Sequence, residues 1–184
     1  LSSHSRPDGD SIGSQLAMAY ALAALGKEAI AVNADPAPPP LRAFPGVADI
    51  RIAKQVEGDY DAAIIMECGD LARTGVGGLD RFFVINIDHH PGNSGYGQIN
   101  WFDAAAAACG EMVFDLIRAL DVPLTPEIAT HIYLAILTDT GSFHYSSISP
   151  RTFEICKEAL QAGVDPVLVA RNGQDQRLFR IAAA

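Results

Sequence analysis

The 184 residues suffice for one sizeable hydrophobic core and are too few for two independent ones. With 49% hydrophobic and 19% charged residues, the composition is that of a soluble globular chain, and no apolar run approaches a membrane span. The net charge of -9 argues against a duplex-DNA binder working through a broad basic face. It leaves phosphate substrates open, because bound divalent cations reverse the sign of a carboxylate cluster. Cys68, Cys109 and Cys156 are far apart without a C-x-x-C, so neither a disulfide framework nor a zinc ribbon is indicated. A reducing cytoplasm is the expected compartment. No signal peptide precedes Leu1, and the start without Met leads us to expect a piece of a longer protein.

In chain order, His4 to Asp10 reads as a loop by its Pro and Gly content. A helix should follow, with Ile12, Leu16, Ala19/Tyr20 and Ala23 at helical spacing and Gly26 closing it. Asp10 or Ser11 is the expected cap, and small Gly13 and Ser14 would let the first turn approach a sheet or a phosphate. Glu28 to Asn33 reads as a strand, Pro36 to Pro40 as a surface connection and Ile50-Arg51-Ile52 as a short edge strand. Tyr60 to Met66 is a strand with a continuously apolar end, followed by Glu67-Cys68-Gly69-Asp70. Residues 82–87, largely apolar with a β-branched bias, read as a buried parallel strand leading into Asp88-His89-His90. Helices are expected over Ala108 to Leu120, from Pro126 to Leu137, from Pro150 to Ala162 and from Pro166 onward. Strands alternating with helices imply an α/β fold, a mostly parallel sheet with helices on both faces.

Four chemically loaded clusters fall at element ends: His4-x-x-x-Asp8-x-Asp10, Glu67, Asp88-His89-His90 and Asp139. Carboxyl ends of parallel strands share one edge, so the loops after them converge. Gathering so many carboxylates without cations is unfavourable, because like charges raise each other's pKa values. Two divalent cations about 3.5–4 Å apart relieve the repulsion and create a hydrolytic centre. Oxygen ligands mixed with imidazole suit Mn²⁺ or another first-row ion. Each cluster alone has a plainer explanation: Asp8-Gly9-Asp10 is an ordinary turn, and Asp139 could simply cap Thr140-Gly141. Their coincidence at successive element ends is what carries the functional reading.

His4-Ser-Arg-Pro-Asp8-Gly-Asp10-Ser-Ile-Gly-Ser14, Asp88-His89-His90 and Thr138-Asp139-Thr140-Gly141 resemble, in order and spacing, the signature motifs of the DHH phosphoesterase family. The details are closest to its nanoRNase and pAp phosphatase branch, relatives of RecJ-type exonucleases. The resemblance implies a two-Mn²⁺ phosphoesterase, with Mg²⁺ or Co²⁺ as alternatives. Its substrates would be short oligonucleotides, linear dinucleotides or 3′-phosphoadenosine 5′-phosphate. It further implies that residues 1–165 form the catalytic domain and that 166–184 begin a helical linker toward a smaller nucleotide-binding domain with a Gly-Gly-His motif. No such motif occurs in this chain. His4 and Asp8 would bind one metal, Asp10, His89 and Asp139 the other. Glu67 stands where the family usually has a bridging Asp, which is a departure. The extra methylene moves the carboxylate by a bond length, whereas metal sites tolerate distance errors of about 0.2 Å. His90 would reach the scissile phosphate as donor or acid, and Asp88 would orient an imidazole from behind.

Arg73 and His144 are further candidates for substrate contact, an exposed surface residue being the plainer reading of each. His131, mid-helix, reads as structural. The Gly75–Gly78 turn lacks dinucleotide-site spacing. A family II inorganic pyrophosphatase shares the Asp-His-His core, but that branch usually shows Pro-Asp-Thr-Asp where this chain has Pro7-Asp8-Gly9-Asp10. A catalytically weakened nucleotide-binding module is the alternative outside catalysis, motivated by Glu67. No membrane partner is expected, and a homodimer is left open.

Overall fold

The computed structural model describes residues 1–173. Strand β1 (Val32–Asn33) pairs in parallel with β2 (Arg51–Ile52). Strands β3 (Ala62–Met66), β4 (Phe83–Asp88) and β5 (Ile99–Phe102) form a second parallel set in that order. The segment Leu1–Ser3 joins the two sets. On one side Ser2 N–H donates to Ile64 O and Ser2 O accepts from Met66 N–H, both at 3.0 Å. On the other, the Leu1 N–H donates to Ile30 O at 2.7 Å and Val32 N–H to Leu1 O at 2.9 Å. These are parallel ladder bonds, so the order across the sheet is β2, β1, Leu1–Ser3, β3, β4, β5. From the central segment the chain builds one edge through β1 and then returns to build the other from β3. The order reverses beside Ser3, and open α/β sheets bind ligands at such reversals.

Side chains alternate as the pleat requires: Ala63, Ile65 and Val84 enter one core, Met66 and Ile87 the other. The second core lies under α1 (Gly9–Ala24), α2 (Cys109–Ala119) and α3 (Pro126–Asp139), with α4 (Pro150–Gln161) and α5 (Pro166–Gly173) packed on α3. The first is closed by short 3-10 turns at Leu71–Thr74 and Leu79–Arg81, which contribute Leu71 and Leu79. Helices therefore flank both faces, in unequal form.

Several boundaries differ from the sequence expectation. The strands expected from Glu28 and Tyr60 are shorter, because ladder partners exist only along their last residues. Strand β5 and the Leu1–Ser3 segment were not anticipated, the former being largely exposed and the latter short and polar. Of the expected 166–184 linker, residues 166–173 form α5, with Val169 buried, and 174–184 lie outside the described residues.

Helix α1 is capped by Asp8, not by Asp10 or Ser11: its carboxylate accepts Ser11 N–H at 3.0 Å. Helices α1 and α3 run antiparallel, Gly9 against Thr138 and Gly13 against His131 and Ala135. A Cβ on Gly13 would lie 2.5 Å from the His131 carbonyl oxygen, and one on Gly110 would lie 2.5 Å from the Ala135 Cβ. The close approach that Gly13 permits is thus to α3, rather than to a sheet or phosphate. This crossing brings the start of α1 to the end of α3. Gly13→Ala is expected to cost about 1–3 kcal/mol through overpacking against backbone, read by denaturant titration.

His131 on α3 is fully buried. Its Nε2–H donates to Pro45 O at 2.9 Å and its ring stacks on Tyr20 at 5.7 Å. Burial lowers its pKa to about 4, against the smaller opposing effect of the Pro45 carbonyl. The unfolded chain therefore binds more protons between the two pKa values. The stability held by the neutral ring is complete above the unfolded value and lost as pH falls toward about 4. That loss is expected to be about 3 kcal/mol, and His131→Gln should flatten it, as read from melting curves across the acid range.

Candidate metal centre

Four element ends meet at the carboxyl edge of the sheet: the start of α1 (Asp8, Asp10), the ends of β3 (Glu67) and β4 (Asp88 to His90), and the end of α3 (Asp139). The geometry centres on His89. Its Nδ1–H donates to Ala106 O at 3.0 Å, which fixes the tautomer and turns the Nε2 lone pair inward. That nitrogen lies 3.2 Å from Glu67 Oε2, 3.4 Å from Asp139 Oδ2 and 3.8 Å from Asp10 Oδ2. Asp10, Glu67, His89 and Asp139 can each present one donor atom within 4.8 Å of all the others, and Glu67, His89 and His90 form a second, overlapping group of the same kind.

Glu67 Oε2 and His89 Nε2 are buried without a hydrogen-bond partner although only 3.2 Å separates them. Orphaned buried atoms of this kind are rare in native folds, and a cation between them satisfies both. In the bare protein the charge is managed by protons instead. Burial and the Asp10 carboxylate push Glu67 well above the carboxylate range, and the same two causes bring Asp139 to about 7. Burial opposes charge on His89, but Glu67 and Asp10 outweigh it and raise the ring to about 10. The donors thus fit a divalent cation, which would displace those protons.

Asp10 is fully engaged on its other side. Its Oδ2 accepts Cys109 N–H at 2.6 Å, and its Oδ1 accepts Gly110 N–H at 3.0 Å and the Ser14 hydroxyl at 2.8 Å. Ala108 offers α2 no side-chain cap, so a carboxylate from α1 caps α2 across the core.

Asp88, buried at the end of β4, accepts His90 Nδ1–H at 2.9 Å and Asn93 Nδ2 at 2.6 Å. The imidazole it orients is therefore that of His90, whose Nε2 stands 3.5 Å from Glu67 Oε1. His4 Nε2 lies 2.7 Å from the Ser11 hydroxyl and 3.6 Å from Asp8 Oδ2. Burial pushes against ionisation of Asp8, yet His4 and Ser11 N–H hold it at about 2. His4 and Asp8 flank the four-residue group without belonging to it. Arg73 is exposed, with its carbonyl accepting Ser5 N–H at 2.7 Å beside the His4 loop. His144 is exposed in the loop after Asp139, its Nδ1 on Gly141 O at 2.8 Å.

The backbone is unusual at these loops. Glu67, buried, sits at φ 56, and Gly141, Ser142 and Phe143 follow one another at φ 57, 58 and 64. Left-handed backbone costs a non-glycine residue about 1–2 kcal/mol, so the surrounding structure must impose it. Glu67 takes this turn directly after β3, with its carboxylate 3.2 Å from His89 Nε2 and 3.5 Å from His90 Nε2. At 140–145 the loop is held by Thr140, whose carbonyl accepts both His144 N–H and Tyr145 N–H at 2.9 and 3.1 Å.

Ser14, Asn93 and the Ala106 carbonyl were not singled out by sequence as site supports. Asn93 lies in a Gly-Asn-Ser-Gly turn, and a backbone carbonyl leaves no sequence signal.

Residues 1–136 match the model of the DHH family, N-terminal domain. The chain is 40% identical over 164 residues to the bifunctional oligoribonuclease and PAP phosphatase NrnA of Thermus thermophilus, covering 89% of this chain and 50% of that one. It is 27% identical to the NrnA of Bacillus subtilis, covering 88% and 52%. The chain spans about half the length of the curated relatives it matches. An exopolyphosphatase-related protein from Bacteroides fragilis superposes with a TM-score of 0.82 at 25% identity, over 98% of this chain and 58% of that one.

Asp10→Ala is expected to destabilise the metal-free protein by about 1–2 kcal/mol, because two N–H groups of α2 lose their cap. Asp139→Asn should instead raise metal-free stability by removing one of the crowded charges. Opposite signs in chelator-treated denaturation would separate the two carboxylates.

Proposed function

The chain belongs to the DHH family, and from that membership and the geometry of the acidic centre we propose a metal-dependent phosphoesterase acting on short oligonucleotides or small nucleotide phosphates. The observation that carries the reading is the pair of orphaned atoms, Glu67 Oε2 and His89 Nε2, at the centre of a buried carboxylate group. The printed names of the Thermus and Bacillus relatives, oligoribonuclease and PAP phosphatase, supply the substrate class. Residues 1–165 would be the catalytic domain, and the further length of those relatives is consistent with a second domain that helps hold the nucleotide.

Asp10, His89 and Asp139 would hold one cation, His4 and Asp8 a second, with Glu67 shared between them. Mn²⁺ suits this mixture of carboxylate and imidazole, with Mg²⁺ or Co²⁺ as alternatives. When bound, the cations supply charge for the phosphoryl oxygens and lower the pKa of water. The residues do the rest. His89 is held in the right tautomer by Ala106 O, and Asp10 is pinned by the first turn of α2. His90, its Nδ1–H fixed by Asp88, offers Nε2 to the phosphate or to the departing oxygen as hydrogen-bond donor or acid. Arg73 and His144, both exposed, would be further contacts to the substrate. Attack in line by water needs no covalent intermediate on the chain.

Glu67→Ala should abolish turnover and weaken metal binding, and normal activity would remove Glu67 from the centre. Glu67→Asp should keep the fold and shift relative activity among Mn²⁺, Mg²⁺ and Co²⁺. The decisive assay gives the full-length protein with Mn²⁺ a dinucleotide, 3′-phosphoadenosine 5′-phosphate and pyrophosphate. Cleavage of pyrophosphate alone would overturn the proposal, and binding without turnover would favour a regulatory module.

A further inference from the structure

The loop that follows Asp139 carries an aromatic ring for which the metal chemistry has no use. Tyr145 is 56% exposed, while Phe143, two residues earlier, turns inward to stack on Phe153 at 5.5 Å and to meet Tyr133 edge-on at 6.2 Å. One aromatic thus anchors the loop and the other is presented. The presentation is built. Three successive left-handed residues, the two N–H bonds to Thr140 O and the Phe143 N–H bond to Thr140 Oγ1 fix the backbone that leads up to the ring. The ring of Tyr145 packs over Gly141, where a Cβ would come within 2.5 Å of it, so a side chain there would push the ring from its position. Strain of this kind, held in place by surrounding bonds, is characteristic of functional loops.

Gly141 is two residues from Asp139, whose carboxylate faces His89 Nε2 at 3.4 Å. Two virtual bonds span at most about 7.6 Å, so the ring stands roughly one nucleoside away from the centre where a phosphate would be bound. We infer that Tyr145 is the stacking platform for a nucleobase of the substrate. The inference rests on the phosphoesterase reading and adds a substrate determinant to it. Every base has a π-face, so a single tyrosine recognises nucleotides while tolerating sequence. An enzyme for mixed short oligonucleotides needs that combination. The neighbouring His144 is free to contact the sugar or phosphate of the same nucleotide.

The experiment compares a dinucleotide with its analogue lacking the base on the side facing Tyr145, using the full-length protein, Tyr145→Ala and Tyr145→Trp with Mn²⁺. Tyr145→Ala is expected to lose about 10- to 100-fold in kcat/KM on the dinucleotide, mostly through KM, as one base–aromatic stack is worth. Its loss on the abasic analogue should be at least about fivefold smaller than on the dinucleotide, since stacking is the property removed. Tyr145→Trp should restore dinucleotide activity, which a merely folded loop would not predict. Equal losses on both substrates, or none on either, would overturn the platform, the former being the result for a ring that packs against another part of the protein. If the unsubstituted protein turns over neither substrate, the phosphoesterase reading fails on its own. Calorimetric affinities for the dinucleotide and its abasic analogue then decide the platform by the same difference. Melting temperatures of the variants exclude unfolding as the cause.

Discussion

Everything at the carboxyl edge of the sheet depends on like charges being forced together. Asp10 and Glu67 are almost fully buried, Asp139 closes over them, and one imidazole nitrogen faces all three. Without a cation the crowding is relieved only by proton uptake, and burial together with the Asp10 charge pushes the Glu67 and Asp139 carboxyls upward accordingly. The fold tolerates this because the strain is spread over rigid elements. Asp10 is clamped by α2, Glu67 by a left-handed backbone whose N–H bonds Ile87 O at 3.0 Å, and His89 by a carbonyl. The repulsion cannot be relaxed by moving any of these groups aside. It is a standing demand for a cation.

That demand was legible in the sequence, since carboxylates and imidazoles at several element ends can only converge in a parallel sheet. The division of labour was less legible. The triplet Asp88-His89-His90 reads as three adjacent candidates, and the end of β4 separates them: Asp88, its last residue, is buried and holds His90, while His89 and His90 follow the strand with their rings 5.0 Å apart. What orients His89 is a carbonyl, which no residue identity announces. The small Gly13 suggests close approach to a sheet or a phosphate, whereas it gives clearance for α3. A glycine in a helix signals close approach without saying to what. The strand Leu1–Ser3 has no sequence signal, because three residues with two serines offer no periodicity, although its two neighbours supply the ladder that makes it a strand.

Asp10 ties the centre to the core. One carboxylate serves the cluster through the edge of Oδ2 nearest His89 and serves α2 through both oxygens. Any cation that drew Asp10 toward His89 would act on the first turn of α2, and through Gly110 on Ala135, where α1, α2 and α3 cross. The chemistry and the helical packing thus share one tolerance. This accounts for the tight glycine contacts on both sides of Ala135.

The central position of Leu1–Ser3 also bears on how the chain is made. This segment leaves the ribosome before either of its neighbours, and its partners on one side are residues 64–66. The sheet cannot be completed around its own middle until more than sixty further residues have emerged, so its backbone groups must wait, hydrated or chaperoned, through that interval. Synthesis and assembly run in different orders here. The segment at the middle of the finished sheet precedes both of its neighbours in the chain, and β4 and β5 extend the sheet only after it is flanked.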